Sequence, residues 1–185
     1  MNRLAIAAAA LVMLAVGTSV FAQDATLATT TTKPVVDGVV NPKEYSFSKD
    51  YGDLQLYVTR TADAIYVGVV GNSTGWVAFG LGSLKMDGAD IFMGYVTSKG
   101  VVNFKPQVGR GHTHRDPTAT DINASIVSSA MKEVSGKTTL EVQLKPDLYI
   151  TAGQATLDMI YAVGTDDSFT PVHMFRGSIS LKLAK

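Results

Sequence analysis

Apolar side chains in this chain come in short runs that alternate with polar ones or stand as brief all-apolar patches. No segment repeats its apolar residues at the helical spacing of three and four. A chain with that pattern can bury its apolar atoms only by pairing strands. The runs cover residues 54–59, 65–70, 76–81, 91–96, 101–104, 125–127, 138–144, 155–163 and 178–183. In LQLYVT, Leu54, Leu56 and Val58 alternate with Gln55, Tyr57 and Thr59, which predicts one buried and one wetter face; TTLEVQL and SISLKL repeat the pattern. GNSTG, Asp87-Gly88, SKG, SGK and GTDD supply chain reversals between them. Strands at a spacing of about ten residues without intervening helices predict an all-β, two-sheet antiparallel sandwich, with a closed barrel as the alternative.

The N-terminus departs from this pattern. MNRLAIAAAALVMLAVGTSVFAQ has a basic Arg3, an apolar run over residues 4–16 and small residues ending at Ala22. That is the three-part pattern of a secretory signal peptide, residues 1–22, and the run falls short of the roughly 20 residues a spanning helix needs. The expected product is exported, to a periplasm or outside the cell. Residues 23–33, polar and Thr-rich, read as a flexible segment, and residues 34–185 as one sandwich domain. With no second long apolar run, the mature chain is not expected to insert stably into a membrane.

Composition removes several classes of function. The 185 residues carry 16 Lys and Arg against 16 Asp and Glu, so no basic surface points to nucleic acid. The absence of cysteine excludes disulfides, thiolate metal sites, a cysteine nucleophile, a lipoprotein anchor and covalent c-type haem attachment. No GxSxG, P-loop, GxGxxG or HExxH motif is present, and Asp87 and Asp90 read as turn formers rather than a glycosidase pair. The chain is therefore read as a non-enzyme.

Histidines are the remaining chemical signal. His112 and His114, in GHTHRDP, read as solvated loop residues, with a copper or zinc site that also uses a Met as the alternative. His173, in PVHMFRG, sits among apolar neighbours just before the last strand, with Arg176 close behind.

The run TGWVAFGLGSLKMDGADIFMGYV, residues 74–96, resembles the signature of the DOMON superfamily. Its marks are a Trp-bearing strand, a Gly-containing turn, a loop Met, then G-A-D leading into an apolar strand. The HxxRG element from His173 to Gly177 falls where that family turns into its final strand, and VVDGVVNPKEY resembles the DG…EY opening of bacterial members and related carbohydrate-binding modules. The resemblance spans residues 35–183 and implies an immunoglobulin-like antiparallel β-sandwich.

In the haem-binding branch, which includes the cellobiose dehydrogenase haem domain, one Met and one His hold a b-type haem. Carried over, these positions are Met86 and His173, and both are present. The resemblance thus implies one haem b per chain with Met86 and His173 on the iron. Arg176 is a candidate partner for a haem propionate. Thioether and imidazole together leave no open coordination position, which suits electron transfer. The electron partner would be a separate redox protein or membrane cytochrome. Phe79, Phe92, Met93, Tyr95, Tyr161 and Phe175 are candidate porphyrin walls or sandwich core. The alternative is a module that binds carbohydrate or another small ligand through exposed aromatics such as Trp76 or the tyrosines.

Overall fold

Among the described residues twelve strands pair, much as the alternation predicts. A computed structural model describes residues 25–118 and 121–184. In chain order the strands are β1 (Thr26–Leu27), β2 (Phe47–Asp50), β3 (Leu54–Arg60), β4 (Ile65–Gly71), β5 (Val77–Leu81), β6 (Asp90–Val96), β7 (Val102–Arg110), β8 (Thr113–Arg115), β9 (Ile126–Val134), β10 (Lys137–Leu144), β11 (Thr156–Val163) and β12 (Phe175–Leu183). One short helix, α1 (Asp121–Ser125), precedes β9. A seven-stranded sheet runs β1-β12-β11-β5-β6-β7-β8 and a five-stranded sheet runs β2-β3-β4-β10-β9. Every strand pair is antiparallel except β1 with β12. The two sheets are separate, so the fold is the sandwich and not the barrel.

Alternate residues of facing strands make the core. Leu54, Leu56, Val58, Val67, Leu140 and Val142 from one sheet meet Val77, Phe79, Phe92, Leu157, Met159 and Leu181 from the other, all at most 1% exposed. Phe79 stacks on Phe92 with ring centroids 5.0 Å apart. Each such side chain stabilises the fold by roughly 1.5–3 kcal/mol through its burial.

The face of β3 expected to be wet is covered. Tyr57 and Thr59 are buried beneath the segment that holds Val36, Val40 and Tyr45. Glu141, on the outer face of β10 and fully buried, anchors that segment. The Tyr45 hydroxyl donates to its Oε1 at 2.7 Å, and the Gly38 and Asp37 amides donate to its Oε2 at 2.9 and 3.2 Å. Burial, reinforced by Glu141, pushes the Tyr45 hydroxyl well above the ordinary tyrosine range. Gly38 has φ +82°, and a Cβ there would lie 2.9 Å from the Met131 backbone. The DG…EY motif is therefore a fastening between the N-terminal segment and β10.

The polar stretch expected to be free is partly ordered. Thr26 and Leu27 pair with Lys182 and Leu183, Leu27 is fully buried, and Thr29 bridges Arg60. One buried leucine and a vacant sheet edge outweigh the polar composition around them. The signal-peptide assignment for residues 1–22 lies outside the described residues. Among the described residues no helix is long and apolar enough to cross a membrane.

Candidate functional site

A sandwich strand ordinarily buries alternate residues, yet all five residues of β5 are buried. The reason lies on the outer face of the seven-stranded sheet. There Ala78 stands between Met93 and Ala162, with Arg176 beyond Ala162. In the next row Gly80 stands between Ile91 and Ile160, with Ser178 beyond. Trp76, Ala78, Ala89, Ile91 and Met93 form an apolar cluster of their own, packed by Met86, Tyr95, Ile160, Ala162 and Phe169.

Above this floor lies a cavity of about 1350 Å³. Sites for drug-sized ligands measure roughly 300–1,000 Å³, so the space suits a larger apolar group. The loop between β5 and β6 contributes Leu84, Lys85, Met86 and Asp87 to its wall. The β7–β8 turn and β8 contribute His112, Thr113 and His114, and the segment before β12 contributes Phe169, Pro171, Val172 and His173. All three histidines of the chain border this one cavity. Leu84 and Val172, 44% and 80% exposed, leave its rim apolar.

Backbone bonds place Met86. Its carbonyl accepts from the Ala89 amide at 3.1 Å, Gly109 donates to the Ala89 carbonyl at 2.8 Å, and Gly88 donates to the Gly109 carbonyl at 3.3 Å. Asp87 Oδ1 accepts from the Gly111 amide at 2.8 Å, closing the loop onto the β7–β8 turn. Asp90 instead accepts from the Tyr149 hydroxyl at 3.2 Å. The two aspartates thus make separate contacts: Asp87 stands in the turn, as read from the sequence, whereas Asp90 opens β6 and holds Tyr149.

His173 is half-buried at the opposite side, its Nε2 3.2 Å from Arg176 Nη1. A guanidinium only donates, so Nε2 accepts and the ring proton lies on Nδ1. That tautomer carries its lone pair on Nε2, the nitrogen that borders Arg176. Met86, His173 and Arg176, chosen from distant parts of the sequence, therefore meet around one cavity.

His112 is exposed in a turn, as read from the sequence, whereas His114 is not a solvated loop residue. It lies on β8, half-buried, with Nδ1 hydrogen-bonded to Gln107 Oε1. Burial, then the Lys105 charge, lower its imidazole below the ordinary histidine range. Among the described residues no three His, Cys, Asp or Glu side chains gather to hold a metal ion.

The candidate wall residues divide. Met93 lies on the outer face and borders the cavity, whereas Phe79 and Tyr161, paired in register, turn inward into the core beneath its floor. Phe92 belongs to the core between the sheets, Phe175 packs near Tyr161 with centroids 6.2 Å apart, and Tyr95 packs on Phe169 at 4.9 Å. Sequence reasoning passed over Ala78, Ile91, Ile160, Ala162 and Phe169. The signal for the first four was available: apolar or small residues at the outward positions of three adjacent strands. Trp76 is 5% exposed, bordering the cavity and lying against Gly164, where a Cβ would fall 2.1 Å from its Nε1. Among the described residues the aromatic side chains are buried or half-buried, with Tyr95 and Phe169 among the half-buried ones.

Residues 49–164 match the family model of the DOMON domain. The chain belongs to the DOMON family. Met86 lies inside the matched span, and His173 and Arg176 follow it. No curated protein matches this DOMON domain. Among solved structures it is similar to the cytochrome b domain of pyranose dehydrogenase from Coprinopsis cinerea, with 13% identity, TM-score 0.53, and 75% of this chain and 81% of that one covered. It is also similar to the cytochrome domain of Myriococcum thermophilum cellobiose dehydrogenase, with 12% identity, TM-score 0.49, and coverage of 75% and 81%. A family 9 carbohydrate-binding module from Caldicellulosiruptor kristjanssonii, in complex with cellotriose, has 11% identity, TM-score 0.47, and coverage of 86% and 92%. At 13% identity the likeness to the pyranose dehydrogenase domain is one of fold.

Proposed function

We propose that this DOMON domain is a b-type cytochrome that binds one haem non-covalently and carries single electrons to or from a separate redox protein or membrane cytochrome. One observation carries the reading. The thioether of Met86 and the imidazole of His173, about ninety residues apart in sequence, border the same cavity, over an apolar floor.

The residues present fit the group. Ala78, Gly80 and Ala162 keep the middle of the floor low, while Ile91, Met93, Ile160 and Phe169 supply apolar contact around it. His173 carries its lone pair on Nε2, where it accepts from Arg176 Nη1, Met86 is held by its loop's backbone bonds, and the Arg176 guanidinium would turn from that nitrogen to a carboxylate at the cavity edge. Haem so held supplies a one-electron couple whose potential thioether ligation raises. The chain's residues bind, orient and shield it and take no catalytic part. The leader pattern of residues 1–22 supports work outside the cytoplasm.

The test is an absorption spectrum of the protein after addition of hemin, before and after dithionite. Sharp α and β bands with a shifted Soret band on reduction are expected. A protein that takes up no hemin overturns the reading and leaves the small-ligand module, to be pursued by glycan screening.

A further inference from the structure

His114 has the outer-shell support usual for a metal ligand. Asp116 Oδ1 accepts from Lys105 Nζ at 2.6 Å and from Gln107 Nε2 at 3.2 Å. The second bond fixes the Gln107 amide, leaving its Oε1 to face the His114 ring. A side-chain carbonyl only accepts, so His114 Nδ1 carries the proton and Nε2 the lone pair. That Nε2 has no hydrogen-bond partner among the described residues, and His114 borders the cavity. A ligating histidine ordinarily donates its other ring N–H to a carboxylate or carbonyl in this way, which sets its tautomer and ring plane. Lys105, Asp116 and Gln107 are otherwise an unexplained polar chain ending on one imidazole.

The register places His114 beside the backbone of the loop that carries Met86. His114 pairs with Gly109 across β7 and β8, and the Met86 carbonyl sits over Gly109 where a side chain would be. Paired residues of an antiparallel ladder lie roughly 4.5–5.5 Å apart at Cα and share a face. Met86 and His114 thus approach the cavity from one side, and His173 from the segment leading into β12.

We propose that His114 is a second donor on the Met86 side of the cavity, one that would hold a haem iron together with His173 in place of Met86. This rests on the haem reading. Thioether ligation raises the reduction potential relative to imidazole, so exchange between Met86 and His114 gives one protein two potentials.

The experiment compares wild type, Met86→Leu and Met86→Leu/His114→Ala after hemin addition, by absorption, electron paramagnetic resonance and redox titration. Leucine keeps the volume of methionine and removes the donor, a swap that ordinarily costs under about 1.5 kcal/mol. Met86→Leu is expected to remain six-coordinate and low-spin with a potential below that of wild type. The double variant is expected to become five-coordinate and high-spin, and free imidazole to return it to low spin, which shows an intact pocket. A Met86→Leu protein already high-spin, with imidazole restoring it, overturns the role of His114 and leaves the haem reading standing. Failure of wild type to take up hemin overturns both.

Discussion

The carbonyl oxygen of Met86 fills the space of a side chain at Gly109: a Cβ built there would lie 1.6 Å from it. Only a glycine on β7 lets the β5–β6 loop settle this close, and the settled loop holds Met86 at the cavity. Gly109→Ala must therefore push the loop outward. Overpacking of this kind costs about 1–3 kcal/mol, read as a lower denaturation midpoint. The same variant should lose the charge-transfer band of sulfur ligation. A variant with wild-type stability and spectrum would show that the loop moves freely.

Removing the strong donor should matter more than removing any support. His173→Ala is expected to weaken hemin retention beyond the roughly 10–100-fold loss typical when an outer-shell partner of a ligand is removed. Transfer of hemin to apomyoglobin measures it. Retention equal to wild type would take His173 off the iron.

Arg176 bonds His173 Nε2 in the structure and is free to turn to a haem carboxylate once that nitrogen ligates iron. It is exposed, so screening limits its worth to about 1 kcal/mol, or a several-fold loss of hemin affinity in Arg176→Gln. Loss of a positive charge favours the ferric state, so the potential should fall, and redox titration checks the sign.

The far sheet should respond differently. Tyr45→Phe leaves the buried Glu141 carboxyl without one of its donors and should destabilise the fold by about 1–3 kcal/mol in urea. The cavity is on the opposite sheet, so the haem spectrum of this variant should match wild type. A spectral change would mean that the sandwich transmits strain between its outer faces.

Acid should weaken the fold through particular carboxylates. The Gly52 amide and Gln55 lower Asp50, and Lys33 and Thr61 lower Asp63, below their ordinary value of 3.8. A carboxylate with a lowered native pKa contributes stability that is present above its unfolded value and lost as pH falls through the native one. Asp50→Asn/Asp63→Asn should therefore flatten the loss of stability between about pH 5 and pH 2. Both groups are exposed, so 1 M salt should shrink the difference. An unchanged acid profile would assign the loss to other carboxylates.

Where alternation was strong, strand positions were legible: residues 54–59, 65–70 and 138–144 lie on β3, β4 and β10. Weak alternation concealed the edges. β2 carries FSKD with one apolar residue, and β9 breaks its pattern with Ser128 and Ser129. β7 extends past Pro106, which a ladder tolerates there because β8 pairs only with Val108, Gly109 and Arg110. Edge strands gain little from side-chain burial, and their backbone pairing leaves no mark in side-chain chemistry.

Period-2 alternation and Gly and Asn turns, which are local properties of residues and their neighbours, were enough, read alone, to predict a two-sheet sandwich. Met86 and His173 were singled out only by the resemblance of their motifs to the DOMON superfamily. Tertiary structure alone decided that the outer face at Ala78 and Ala162 is the apolar floor of a cavity, that Phe92 faces the core while Phe169 faces the cavity, and that His114 lies half-buried on β8 opposite Gly109 rather than in a solvated loop. Each depends on register between strands distant in sequence. A strand's alternation sorts its residues into two faces, and only packing determines what each face meets.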